Sequence, residues 1–202
     1  MIRRLLLFTL FLGCLSPLLA QDEEPKTLLG TVTKVSGFGG FNIEFGNIDG
    51  NFTVLSGGGG GILLNRSIFL GGYGTGASND IKIDLNGIDT RLDFGHGGFW
   101  LGYDAFPSKL VHLTTAVKLG WGNARFRPEA SFPSMGTFDT SFSESIFVIQ
   151  PQLGAELNIT RFFKIALTGN YRFVQGLNTD GVDEDLLNSF STELAFKFGW
   201  FD

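Results

Sequence analysis

The segment SFSTELAFKFGWF near the end of the chain alternates without a slip: Phe190, Leu194, Phe196, Phe198 and Trp200 fall on one side, Ser191, Glu193, Ala195, Lys197 and Gly199 on the other. A period of two sustained over this length specifies a β-strand with one apolar and one polar face. FFKIALTGNYRF repeats the pattern, with Phe163, Ile165, Leu167, Tyr171 and Phe173 opposed to Lys164, Ala166, Thr168, Asn170 and Arg172. The segments around residues 147 to 159 and 113 to 121 do the same. No stretch after residue 20 keeps a helical period for long.

Eight such segments can be drawn, at 34 to 47, 51 to 64, 67 to 77, 90 to 105, 110 to 127, 144 to 158, 161 to 175 and 189 to 201. Their connections alternate in length. NRS, PSK and ITR are tight, whereas 78 to 89, 128 to 143 and 176 to 188 are long and polar; only NIDGN at 47 to 51 is short where a longer loop is expected. An even number of antiparallel strands, short turns at one end, longer loops at the other and an aromatic outer face describe an all-β, eight-stranded, up-and-down transmembrane β-barrel. The short turns are expected in the periplasm and the longer loops outside the cell. Asn86-Gly87, between alternating residues, predicts a hairpin inside the second outer loop.

The chain resembles the small eight-stranded outer-membrane barrels of the OmpA and OmpX type over residues 30 to 202. The resemblance implies that the alternating Phe196, Phe198 and Trp200 form the C-terminal signal read by the barrel-assembly machinery, although Asp202 follows Phe201 where the family ends on an aromatic. It carries no catalytic motif. Two groups of small barrels supply alternatives: passage of a small hydrophobic molecule, as in the OmpW group, and modification of lipid.

An eight-stranded barrel has an interior that side chains fill. The strand phases turn Glu44, Glu156 and Glu193 inward with Lys118, Lys164, Arg172 and Lys197, a nearly balanced set expected to form a structural ion-pair network. Arg172 is expected opposite Glu193, and Glu156 opposite Lys164. The run from Gly57 to Gly61 reads as the middle of the second strand, leaving room in the lumen for bulky side chains. In the fourth strand Leu92 and Phe94 differ in parity from Phe99, Leu101 and Tyr103, so a bulge at Gly97-Gly98 is expected to bring all five to the lipid face. His96 and His112 have no serine placed beside them by a recognisable motif, and the acidic loop with Asp180, Asp183, Glu184 and Asp185 lacks EF-hand spacing. No catalytic residue, metal site or cofactor is expected.

MIRRLLLFTLFLGCLSPLLA has two arginines, an apolar run, Pro17 and a small Ala20, the layout of a cleaved secretory signal over residues 1 to 20. Phe11 and Leu12 ahead of Cys14 fit a lipoprotein signal badly. A short periplasmic segment (21 to 30) and the barrel domain (31 to 202) follow. Removing two arginines and no acid takes the formal charge from −5 to −7, and an acidic exported chain without basic clusters argues against nucleic acid. The expected setting is the cell outer membrane, the expected neighbours are its lipid and lipopolysaccharide, and the expected state is a monomer.

Overall fold

The computed structural model describes residues 31–85, 87–128, 141–177 and 184–201. The proposed signal and periplasmic segments, Asn86, Asp180, Asp183 and Asp202 lie outside them. Nine strands run β1 (Val35–Ile48), β2 (Asn51–Leu64), β3 (Ile68–Ala77), β4 (Ile81–Leu85), β5 (Ile88–Ala105), β6 (Val111–Pro128), β7 (Phe142–Asn158), β8 (Phe163–Gln175) and β9 (Ser189–Gly199). All pairings are antiparallel, and β1 pairs with β9 while β3 pairs with β5, so the sheet closes on itself.

The ninth strand does not add a ninth stave. β3 pairs with β5 as far as Gly76↔Gly95, and β4 resumes the same edge at Ile81↔Leu92. Four residues, Ala77 to Asp80, thus stand opposite Asp93 and Phe94 alone, a two-residue bulge that interrupts one wall strand without reversing its faces. Asn79 stitches the gap by accepting from the Val54 amide at 2.8 Å and donating to the Phe52 carbonyl at 3.1 Å. The predicted outer hairpin is present as β4 and β5, with Leu85 paired to Ile88 and Gly87 at a φ of 81°.

Stepping across the ladder from Gly46 to Ser191, Asn170, Gln152, Ala116, Gly102, Phe69 and Leu63 returns to β1 at Ser36, ten residues below the start. This stagger tilts the strands steeply, and with eight staves it leaves an interior that side chains fill. At the outer end Asp49 and Gly50 both have positive φ, 51° and 73°, the geometry a two-residue hairpin demands.

The bulge expected at Gly97-Gly98 is absent. The register of β5 with both neighbours runs unbroken through these glycines, so Leu92 and Phe94 point into the lumen with His96 and Trp100. The glycine run does lie within β2, but its main constraint is backbone proximity. A Cβ on Gly59 would sit 2.6 Å from the Gly72 carbonyl oxygen, which no side chain tolerates.

Candidate functional site: a charged lumen beneath an apolar plug

The two faces of the barrel exchange polarity along its length. In the tall wall, the outward residues near the long loops are Asp89, Arg91 and Asp93 on β5 and Arg125 and Arg127 on β6. Behind them, Leu92, Phe94, Phe126, Ile146, Val148 and Leu187 belong to a buried apolar cluster filling the outer end of the lumen. Below this level the pattern inverts. Outward residues become apolar from Trp121 down to Val111 on β6, with Thr115 the one polar residue among them, and from Phe147 down to Leu157 on β7, eleven residues in each strand. That matches the roughly 9–11 residues a tilted strand needs to cross hydrocarbon.

Inside this apolar belt all seven lumenal ionic residues read from the sequence are buried. Glu193 accepts from Lys118 Nζ at 2.5 Å, from Asn42 at 2.8 Å and from Gln152 at 3.3 Å. Glu44 meets Arg172 Nη1 at 3.2 Å and accepts from Gln150 at 2.9 Å. Arg172 therefore pairs across the lumen with Glu44, not with Glu193 as expected from the sequence. β8 and β9 are registered with Arg172 opposite Ser189, four residues before Glu193, whose own ladder partner is Thr168.

Glu156 is the hub of the lower lumen. Lys164 Nζ lies 2.8 Å from one oxygen, Lys197 Nζ 2.6 Å from the other, and His112 Nε2 3.2 Å from the first. The ion pair of Glu156 with Lys164 forms as the sequence reading has it, although the ladder sets Glu156 opposite Ala166 and Lys164 opposite Asn158. Asp104 was missed: it is 2 % exposed, accepts from Thr114 Oγ1 at 2.7 Å, and shares the parity of Trp100, which was its signal in the sequence. With it the buried set holds four carboxylates against four basic side chains, and such charges are tolerated only when paired. Aromatic rings line the rest, with Lys197 Nζ 4.9 Å from the centre of Phe69 and Lys118 Nζ 5.1 Å from that of Tyr73.

Asp104, His112 and Glu156 bring one potential ligand atom each within 4.8 Å of one another. Lys164 and Lys197 already place an ammonium on each oxygen of Glu156, and they supply the positive charge that a cation would bring. His96 bonds to Tyr73 at 2.9 Å, and neither histidine has a serine among its hydrogen-bond partners. Of the three residues read as a C-terminal signal, Phe196 and Phe198 stack outward against Phe41 and Phe163, and Trp200 is 72 % exposed. Phe201 instead turns under the barrel, with Lys164 Nζ 4.4 Å from its ring centre, and closes the end opposite the apolar plug.

No protein-family model matches the chain, and no curated protein sequence matches it. Among solved structures, the neisserial surface protein NspA is similar with a TM-score of 0.54 and 12% identity, covering 83% of this chain and 97% of that one. The attachment invasion locus protein Ail of Yersinia pestis is similar with a TM-score of 0.48 and 16% identity, covering 82% and 97%. The likeness to NspA is one of fold, and with the closed register above it identifies the architecture as the small eight-stranded barrel of outer-membrane proteins.

Proposed function

We propose that this chain is a non-enzymatic integral protein of the Gram-negative outer membrane, a plugged monomeric barrel that presents its outer loops and tall wall at the cell surface. The exchange of polarity between its faces supports this reading above all. A wall that is mostly apolar outside and polar or charged inside over eleven residues, then polar or charged outside and apolar inside beyond them, suits hydrocarbon below and water above. Export by a signal cleaved after Ala20, insertion through the aromatic signal of Phe196, Phe198 and Trp200, and contact with lipopolysaccharide complete the proposal. The ion pairs act as a structural filling. Passage of a hydrophobic molecule would need an apolar cavity, and the apolar part of the lumen is packed with side chains.

Single cysteines at Asp89, Ile165 and Lys164 test the reading in intact cells, since the only native cysteine is Cys14. Asp89→Cys is expected to react with a water-soluble reagent, Ile165→Cys only with a lipid-soluble one, and Lys164→Cys with neither. Reaction of Lys164→Cys from water with Ile165→Cys shielded from both reagents would overturn it.

A further inference from the structure

A groove of about 850 Å3 crosses the outer wall over β1, β9, β8, β7 and β6. Its floor follows the ladder row from Gly46 through Ser191, Asn170 and Gln152 to Ala116, whose polar side chains are buried inward, so the floor is bare backbone. Tyr171 and Phe190, with rings 4.6 Å apart, stand along one side. The outward pair Gly169 and Thr192 keeps the other side low. Because the row falls ten residues per circuit, the groove runs obliquely down the apolar belt. Its four strand-to-strand steps span about 19 Å, the reach of a long acyl chain.

At the upper end Asn47 also lines a second hollow of about 380 Å3, together with Asp49, Asp185, Asn188 and Ser189. Both charged residues lining this hollow are acidic, and Asn188 Nδ2 donates to Asp185 Oδ1 at 3.0 Å. Asp49 stands two residues beyond Asn47, in the turn that follows β1. We propose that groove and hollow together seat one phospholipid with an ammonium head group, its acyl chain in the groove and its ammonium beside Asp49 and Asp185. Hydrocarbon is the solvent at the depth of the groove, and the groove and the hollow each have a volume in the range of specific ligand sites. Two carboxylates attract an ammonium and repel a head group ending in phosphate or glycerol phosphate. The inference rests on the membrane reading above.

The test uses the full mature chain in nanodiscs, with nitroxide on the acyl chain of a dilute ethanolamine phospholipid and amide relaxation read at Gly169, Thr192 and Gly74. Gly74 faces outward on β3, away from the groove. Broadening several-fold greater at Gly169 and Thr192 than at Gly74, reversed by unlabelled ethanolamine lipid and not by phosphatidylglycerol, is the expected result. Gly169→Phe should abolish the excess; a Cβ there meets nothing closer than the Leu153 carbonyl oxygen at 3.9 Å, so the barrel has room for it. Asp49→Asn with Asp185→Asn should remove the head-group preference and keep the chain contact. Equal broadening at all three sites, or preference for phosphatidylglycerol, overturns the seat and leaves the membrane reading intact. Broadening at none of them overturns both.

Discussion

Arg172 and Glu44 are 128 residues apart in the chain and 3.2 Å apart across the lumen. The contact joins β8 to β1, strands that share no ladder because β9 lies between them. Arg172 is further fixed by the Leu187 carbonyl at 3.1 Å and Ser189 Oγ at 2.9 Å, which tie the base of the last loop to the barrel.

A double-mutant cycle on Arg172→Met and Glu44→Gln is expected to return a coupling of about 1–3 kcal/mol, the range of residues in one network. The equivalent cycle with Glu193→Gln should give a smaller value. Urea unfolding of the refolded barrel provides the measurement, and equal coupling to both carboxylates would contradict the geometry.

Glu156→Gln strands two ammonium groups beside a buried histidine. The expected loss is about 3–5 kcal/mol, the cost of leaving a buried charge without its partner. Replacing Lys164 and Lys197 with Met in the same background should recover most of it. The heat-modified gel mobility of the wild type and the two variants reads this order directly.

Leu167 is 55 % exposed on the outer face of β8, within the apolar belt. Leu167→Lys should cost about 2–4 kcal/mol in phospholipid vesicles, as a lysine does near the bilayer midplane of a barrel. Asp89→Lys, on the charged upper wall, should change stability by less than about 0.5 kcal/mol. Denaturant midpoints in the same vesicles compare the two.

Gly59→Ala and Gly74→Ala separate glycines that the backbone needs from those it does not. The first brings a Cβ against the Gly72 carbonyl oxygen, whereas at Gly74 a Cβ meets nothing within 4 Å. Gly59→Ala is expected to lose about 1–3 kcal/mol, and Gly74→Ala to fold with unchanged yield and unfolding midpoint.

Strand number, strand order and the inward faces of β6, β8 and β9 were legible because a period of two assigns every residue to one of two sides. Legibility failed where one side changes meaning. Leu92 and Phe94 are apolar and inward because the upper wall stands in water and needs a core of its own. Assuming lipid along the whole of β5 required a bulge that does not exist. Partners across the lumen were harder still: Arg172 opposite Glu193 follows from centring the last hairpin near residue 182, whereas the ladder sets Arg172 opposite Ser189 and so centres it about two residues earlier. The neighbouring pair Glu156 and Lys164 was readable because the Asn158 to Phe163 connection is short.

The strands are also unequal around the circumference. β5, β6 and β7 have 18, 18 and 17 residues, whereas β1 and β2 have 14 each and meet in the two-residue turn at Asp49 and Gly50. The rim is therefore a parapet on one bearing and a doorstep on the opposite one. Rotation about the membrane normal changes what a neighbour encounters, so a large molecule descending onto the cell reaches the doorstep side only from the open bearing, and the barrel has a front and a back although its staves form a ring.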